Sequence, residues 1–166
     1  MKTRFAIPKT LDGRIGRVRR GDLGDSRHRH AELEFEYMVW GEATIRVAGK
    51  KIEVGPRSLL WIFPHQSHRV LEQSDDFEMW IACFRRRLVR RSATSELTRP
   101  LRVRRERALH CGILPVPEAR LLGSRLADVS AYEDPALYNA GLGHLLLDAW
   151  FLYRQAVDDS RFSRKP

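Results

Sequence analysis

The chain has 166 residues, a net charge of +9 and 43% apolar residues, which suits one compact domain with an appended element rather than a disordered chain. No stretch approaches the roughly 18 apolar residues of a membrane span, and the first ten residues lack the apolar segment of a signal peptide. We therefore expect a cytoplasmic protein. Cys83 and Cys111 are too few for a disulfide framework or a thiolate zinc site, and we expect buried free thiols.

The positive charge is concentrated in one segment. Residues 85–107 contain ten arginines and two glutamates, a local net charge of +8, whereas the rest of the chain is nearly neutral. Such a run attracts phosphates, acidic lipids or acidic protein surfaces. Because no aromatic residues interleave with the arginines to stack on bases, we interpret the segment as a solvated face. The alternative is that it forms the working surface of a binding module without a metal.

The first two thirds of the chain show the patterns of short β-strands. Leu33, Phe35, Tyr37 and Val39 alternate with Glu34 and its even-numbered neighbours, which predicts a half-buried strand that ends at Gly41. Residues 43–47 and 51–54 form a predicted hairpin around Gly49. Further strands are predicted at 59–63 and 77–84, with one or two more within 101–114. This pattern favours a sandwich or barrel.

Beyond Pro115 the apolar spacing becomes helical. Leu122, Leu126 and Val129 fall at helical intervals, and Asp134-Pro135 resembles a capping residue followed by a first-turn proline. We expect a second helix from 135 to about 157. The predicted domains are a β-domain at 1–114, C-terminal helices at 115–158 and a polar linker or tail at 159–166. Ending on Lys165-Pro166 suggests a chain cut at a domain boundary.

Three histidines and one glutamate form the most informative pattern. A His-x-His pair places both imidazoles on one side only in an extended backbone, so His28 and His30 predict a strand. With Glu34 and His68 they offer three nitrogens and one oxygen, which suits Zn, Ni, Fe, Mn or Co and leaves coordination positions open. The alternative is that the histidines are exposed and that Glu34 pairs with a neighbouring arginine.

The spacing of these residues resembles a known family. The first cupin motif is matched by Gly24, His28, His30, Glu34 and Gly41, and the second by Gly55, Pro64 and His68. His65 stands where the second motif usually has glycine, and Phe63 where a first proline is common. The likeness covers roughly residues 20–86.

The resemblance implies a fold with an all-β core and additional α-helices. The core would be a cupin-like double-stranded β-helix, or jelly roll, and two C-terminal helices would follow it. It also implies that His28, His30, Glu34 and His68 are metal ligands. The layout is similar to that of the N-terminal effector-sensing and dimerisation domain of AraC-type transcription regulators. In that family a helix-turn-helix domain follows and binds DNA, and we do not expect that domain within these 166 residues.

On this interpretation the domain binds a small-molecule effector, and we expect a homodimer. Four residues are predicted to line the ligand pocket: Met38, Trp40, Trp61 and Trp80. Five residues of the second helix are predicted to form the dimer contact: Leu142, Leu145, Leu146, Ala149 and Trp150.

A stand-alone cupin enzyme, either a dioxygenase or a sugar isomerase, is the alternative function. It would use the same metal and need a general acid or base, for which His65 and Glu36 are the nearby candidates in the sequence. His110 and His144 have no ligand spacing and are interpreted as structural. We favour the non-catalytic sensor.

Overall fold

A computed structural model of the chain describes residues 6–24 and 26–162. The strands within these residues are β1 (Gly13–Arg19), β2 (Leu33–Trp40), β3 (Ala43–Val47), β4 (Lys50–Val54), β5 (Ser58–Ile62), β6 (His68–Gln73), β7 (Glu78–Phe84) and β8 (His110–Ile113). The helices are α1 (Arg86–Ser92), α2 (Val116–Ser130) and α3 (Pro135–Phe162), with a short 3-10 helix at Arg99–Arg102. None of the described helices is long and apolar enough to cross a membrane.

Two antiparallel sheets form the β-domain. The larger has the strand order β1-β7-β2-β5-β8, and the smaller has the order β4-β3-β6. Strands distant in sequence are neighbours in both sheets, and the inner faces enclose a core. This is a jelly roll followed by helices, so the expected fold class is confirmed.

The larger sheet is covered on both faces, and it therefore separates two hydrophobic cores. Met38, Ile62 and Ile81 face the smaller sheet. Phe35 and Trp61 face the opposite way, into a core shared with the helices. Strand β2 lies in the middle of the sheet and is buried from Leu33 to Met38 on both faces. The predicted half-buried strand is therefore a fully covered one, because its polar residues point into the barrel rather than into solvent.

Most predicted strands lie within one residue of the observed ones, and the hairpin between β3 and β4 forms as expected. Its turn residues Ala48 and Gly49 both have positive φ values, of 48° and 85°. Strand β2 ends at Gly41, where φ is 72° and an added Cβ would lie 2.8 Å from the backbone nitrogen of Phe77. Glycine at this position is therefore a requirement of the turn.

Several elements are not apparent from the sequence. Strand β1 contains two glycines and three arginines, so its sequence does not show a clear alternation of apolar and polar residues. Helix α1 lies within the arginine run, where Leu88 and Val89 alone mark a buried side. Only one strand, β8, forms within 101–114, and the rest of that segment begins with the 3-10 helix.

The two C-terminal helices begin close to where the sequence predicts them. The Asp134 side chain accepts a hydrogen bond of 2.8 Å from the backbone nitrogen of Leu137, which is the predicted cap of α3. Helix α3 continues to Phe162, beyond the expected end near 157 and into the predicted linker. Residues 163–166 lie outside the described part of the chain.

The stripe of α3 that we assigned to a dimer contact is instead internal. Its five residues are at most 1% exposed in the single chain: Leu142, Leu145, Leu146, Ala149 and Trp150. The indole nitrogen of Trp150 donates a 2.8 Å hydrogen bond to the carbonyl of Leu97, and its ring lies 5.3 Å from that of Trp61. These side chains pack against the outer face of the larger sheet, so they are not available to a second copy of the chain.

Replacing Leu146 by alanine should therefore lower the free energy of unfolding by about 2–5 kcal/mol, because it leaves a cavity in the core between helix and sheet. Leu137 lies in the same helix and is 51% exposed. Its replacement by alanine is the matched control, with an expected change within about 0.5 kcal/mol. Urea denaturation measures both values. Equal effects of the two variants would contradict the assignment of the stripe to the core.

Asp12 connects the start of β1 to two helices. Its carboxylate accepts hydrogen bonds from the side chains of Arg87 and Arg91, the latter at 2.8 Å. Its backbone nitrogen donates to the Asn139 side chain in α3 at 2.7 Å. Burial alone would raise the pKa of the Asp12 carboxyl, but the hydrogen bonds from Arg91 and Arg87 outweigh it and lower the pKa.

Replacing Asp12 by asparagine should lower the free energy of unfolding at neutral pH by about 1–2 kcal/mol. A lowered folded-state pKa means that the carboxylate stabilises the fold above its unfolded value of 3.8, and that this contribution is lost as the pH falls below that value. The difference between wild type and variant should therefore shrink in acid. Thermal unfolding followed between neutral pH and pH values below 3.8 checks this, and a difference independent of pH would contradict it.

Candidate metal centre

The jelly-roll connections bring the four predicted ligands together from two distant parts of the chain. Glu34 lies near the start of β2 on the inner face, and His68 begins β6 in the smaller sheet. His28 and His68 exchange two backbone hydrogen bonds, of 3.1 and 2.9 Å. The carbonyl of His30 accepts a 2.8 Å hydrogen bond from the backbone nitrogen of His65. The predicted strand through His28 and His30 is thus reduced to a single bridge with His68.

The side chains converge at short distances. The ring of His68 lies 4.1 Å from that of His28 and 5.1 Å from that of His30, centroid to centroid. The Nε2 atoms of His30 and His68 lie 3.0 and 3.6 Å from oxygens of Glu34. One potential ligand atom from each of the three histidines can be chosen so that all lie within 4.8 Å of one another. Such a cluster has the size of a metal-binding site.

Backbone carbonyls orient all three imidazoles. The Nδ1 atoms of His28, His30 and His68 lie 3.2, 3.2 and 3.1 Å from the carbonyl oxygens of residues 26, 32 and 66. A carbonyl oxygen only accepts hydrogen bonds, so we assign the proton to Nδ1 in each ring. The Nε2 lone pair of a neutral ring is then free to bind a ligand. Outer hydrogen bonds of this kind typically orient histidines around a metal.

The electrostatics favour an anionic glutamate beside neutral or cationic imidazoles. Burial opposes the charge on Glu34, but hydrogen bonding to His30 and the nearby histidine charges lower its pKa to about 2. Burial alone would lower the pKa of His30, but its hydrogen bond to Glu34 and the negative charge of Glu34 outweigh burial and raise the pKa. Burial dominates at His68 and lowers its pKa, so this ring is neutral at neutral pH. The Nε2 atom of His68 lies 3.6 Å from Glu34, beyond hydrogen-bond distance, and has no hydrogen-bond partner among the described residues.

Two further buried groups contact the cluster. The Cys83 thiol, opposite Glu34 in strand β7, donates a 3.0 Å hydrogen bond to the Glu34 carboxylate. Burial raises the pKa of this thiol, so it remains a donor. Glu36 is also buried, and burial together with the charge of Glu34 raises its pKa well above the ordinary value. One oxygen of Glu36 has no hydrogen-bond partner among the described residues.

The contact between Cys83 and Glu34 is not apparent from the sequence, because it depends on how β2 and β7 pair. Cys111 is half-buried rather than buried, and its surroundings raise the pKa of its thiol to about 12. Both cysteines are free thiols, as expected.

Exposure decreases steadily across the cluster. His28 is exposed, the His30 side chain is 24% exposed, and the side chains of Glu34 and His68 are 5% and 2% exposed. The cluster therefore opens to solvent on the side of His28 and is closed at its inner end.

The predicted pocket residues do not gather around this cluster. Met38 is buried on the inner face of β2, as parity predicts. Trp40 shares that parity but lies at the end of the strand, after a bulge, and is 60% exposed. Trp61 and Trp80 belong to the core between sheet and helices, on the opposite face of the sheet from Glu34. The placement excludes Trp61 and Trp80 from a pocket inside the barrel.

Among the described residues, the side chains of the other three histidines do not join the cluster of potential metal ligands. His65 is exposed, has a φ of 66°, and faces a groove outside the barrel. His110 contacts Glu106 at 3.3 Å and the hydroxyl of Tyr153 at 3.2 Å. His144 lies on the surface of α3, 3.3 Å from Asp148. Of the two acid or base candidates, Glu36 has a carboxylate oxygen that lies within 4.8 Å of potential ligand atoms of Glu34 and His68.

Among known proteins, three solved structures resemble parts of this chain. The structure of apo ToxT from Vibrio cholerae strain SCE256 aligns with a TM-score of 0.54 at 10% identity, over 91% of this chain and 56% of that one. A predicted oxalate decarboxylase from Thermotoga maritima gives a TM-score of 0.34 at 21% identity, over 36% and 53% of the two chains. A RmlC-like cupin from Shewanella frigidimarina gives 0.37 at 20% identity, over 44% and 65%. No curated protein shows a significant match.

A jelly roll with an inward-facing cluster of histidine and glutamate, followed by helices, defines a cupin-type domain. The family model for the AraC-like ligand-binding domain matches residues 17–107, more than half of the chain. The chain belongs to this family, the sensing domains of AraC-type regulators, and the resemblance expected from the sequence is confirmed. It spans 56% of the length of the ToxT chain.

Proposed function

We propose that this chain is a metal-binding domain that senses a small molecule within an AraC-type transcription regulator. The observation that carries the proposal is the convergence of His28, His30, Glu34 and His68 at one end of the barrel. Membership of the ligand-binding family supports the sensing role. DNA binding then belongs to a helix-turn-helix domain of a longer protein.

The donor set fits a divalent transition metal. A carboxylate oxygen and an imidazole Nε2 that both carry lone pairs repel each other at 3.0 Å unless a proton or a cation lies between them. A buried nitrogen without a hydrogen-bond partner is costly, and a cation would satisfy the Nε2 atom of His68 and replace the proton between His30 and Glu34. Three nitrogens and one oxygen suit Zn, Ni, Fe, Mn or Co. When bound, such an ion supplies a Lewis-acidic centre for an oxygen atom of the effector.

Other groups of the protein orient the predicted ligands and line the path to the site. The backbone carbonyls that accept from Nδ1 fix the three ring orientations, and Cys83 holds the Glu34 carboxylate by its thiol hydrogen bond. Since His28 is the exposed member, the effector enters on its side. Met38 contributes apolar surface to the barrel interior.

The first test measures metal binding. The wild-type protein should bind one divalent ion per chain and unfold at a higher temperature with it, because only the folded state brings the ligands together. Glu34→Gln keeps the side-chain shape but removes the charge, and should weaken binding at least tenfold, that is by about 1.4 kcal/mol or more. Elemental analysis, Co²⁺ absorption and thermal unfolding provide the measurements.

His144→Gln is the matched control, since this histidine lies on the surface of α3 away from the cluster. It should leave metal affinity unchanged. His30→Gln provides a second ligand variant in case Glu34→Gln does not fold. Wild-type protein that contains no ion, and gains no thermal stability from any of the five metals, would refute the metal site.

The second test measures effector binding by the metal-loaded protein. Titration with a panel of small carboxylates and hydroxy acids should produce a saturable change in absorption of the Co²⁺-loaded protein for the matching compound, because its oxygen enters the coordination sphere. Glu34→Gln at the same compound concentrations is the control and should show no such change. A panel without any saturable response would count against sensing at this cluster.

One observation favours a second candidate, a metal-dependent cupin enzyme. Glu36 is a buried carboxyl with a raised pKa beside the cluster, as a general acid requires. Assays of the metal-loaded protein for oxygen consumption and sugar isomerisation distinguish the two candidates. Turnover that is lost in Glu36→Gln would replace the sensor by the enzyme.

We also propose that the domain forms a homodimer. The buried stripe of α3 cannot form the contact, so a dimer would use exposed apolar side chains of the two C-terminal helices. Leu121 of α2 and Phe151 of α3 are 45% and 47% exposed and are the candidates.

A further inference from the structure

The arginines of helix α1 have two different environments. Arg87 and Arg91 donate to the carboxylate of Asp12. Arg86 and Arg90 lie one turn apart on another side of the helix, are exposed, and have no ion pair with any acid in the described part of the chain. Like charges at this spacing repel each other. Asp12 therefore offsets part of the positive charge on one side of the helix, whereas the arginines on the other side have no acidic partner in the described part of the chain.

The unneutralised side of α1 borders a concave groove of about 360 Å³. Five arginines line it: Arg86, Arg90, Arg102, Arg104 and Arg105. Its apolar floor includes Leu33, Val89 and Leu101, all of which are buried. The volume is within the range of roughly 300–1,000 Å³ that is typical of small-molecule sites.

The acidic residues of the arginine segment do not neutralise the groove. Glu96 pairs with Arg99 at 3.1 Å. Glu106 accepts from the backbone nitrogens of Arg107 and Ala108, and lies 3.3 Å from His110. None of the five groove arginines has a salt bridge within residues 6–24 and 26–158. The groove thus concentrates positive charge over an apolar surface.

We propose that this groove binds a small organic phosphate. Guanidinium groups match the oxygens of a phosphate in pairs of hydrogen bonds, and several of them together suit a doubly charged anion. The aliphatic floor suits the carbon body of a phosphate ester. The described lining includes no phenylalanine, tyrosine or tryptophan on which a nucleic acid base could stack, so the groove fits a small molecule better than a nucleic acid strand.

This groove is separate from the candidate metal centre. Leu33 faces the groove on the outer side of the larger sheet, whereas Glu34 points into the barrel. The two sites meet only at their edges, where Ala31 and His65 line the groove. Loss of metal binding and loss of phosphate binding are therefore distinguishable.

The test compares hexyl phosphate, inorganic phosphate and hexanoate by isothermal titration calorimetry at low salt. Hexyl phosphate should bind at one site per chain. It should bind more tightly than inorganic phosphate, which lacks the alkyl chain, and more tightly than hexanoate, which lacks the phosphate group. The double variant Arg90→Gln/Arg102→Gln should raise its dissociation constant at least about tenfold, because each arginine contributes charged hydrogen bonds. Added salt should weaken the binding, since exposed charges are screened.

The matched control is Arg99→Gln/Arg107→Gln, which removes the same charge from the same segment at residues that do not line the groove. It should change the dissociation constant by no more than about twofold. Equal losses in the two double variants would show a general charge effect and overturn the proposal. If the first variant does not fold, as judged by circular dichroism, Arg86→Gln/Arg105→Gln replaces it.

Two further outcomes would also overturn the proposal. Hexanoate that binds as tightly as hexyl phosphate would make the groove a carboxylate site. Duplex DNA that binds in a groove-dependent manner and is not displaced by hexyl phosphate would make it a nucleic-acid surface. Unchanged binding of hexyl phosphate by Glu34→Gln would show that the groove functions independently of the candidate metal centre.

Discussion

The buried carboxylate of Glu34 is the constraint on which the inner end of the barrel depends. It lies on the central strand of the larger sheet and contacts His30, four residues earlier in the chain, and the distant residues His68 and Cys83. A charge with little exposure to water is tolerated only where opposite charges or hydrogen-bond donors surround it. The histidines and the thiol meet this requirement within the protein. The contact of Glu34 with His68 also connects the larger sheet with the smaller one, so the candidate metal centre lies where the two sheets meet.

The larger sheet explains how so small a domain accommodates both a polar cluster and a helical layer. Strand alternation directs Glu34 and Glu36 inward and their odd-numbered neighbours toward the helices. The aromatic side chains Phe35 and Trp61 then form the core with α3, while the polar groups remain in the barrel. The polar residues of the candidate metal centre and the apolar residues of the core with the helices therefore lie on opposite faces of one strand. A single-residue shift in the register of β2 would exchange these faces.

The sequence is informative where the signal is local and where the family spacing applies. The proximity of His28, His30, Glu34 and His68 is predicted by motif spacing, the hairpin by Gly49, and the start of α3 by the Asp134 cap. It is uninformative where the outcome depends on partners distant in sequence. The sequence does not indicate which side of the sheet Trp61 faces, or whether the apolar stripe of α3 is internal, because both depend on which layer of the fold covers these residues. Cys83 meets Glu34 only through strand pairing, and the different roles of the arginines depend on the position of Asp12.

The N-terminal segment is held through its main chain. Arg85 donates to the carbonyl of Ile7 at 2.7 Å, and Arg87 donates to the carbonyls of Lys9 and Leu11, each at 3.2 Å. Every residue type carries a carbonyl, so these contacts depend little on which side chains occupy positions 7–11. An insertion or deletion between residues 7 and 11 would move the acceptors out of reach of the two arginines. The distance along the chain therefore matters more to these hydrogen bonds than the side chains do, although Ile7 and Leu11 also pack against the two hydrophobic cores.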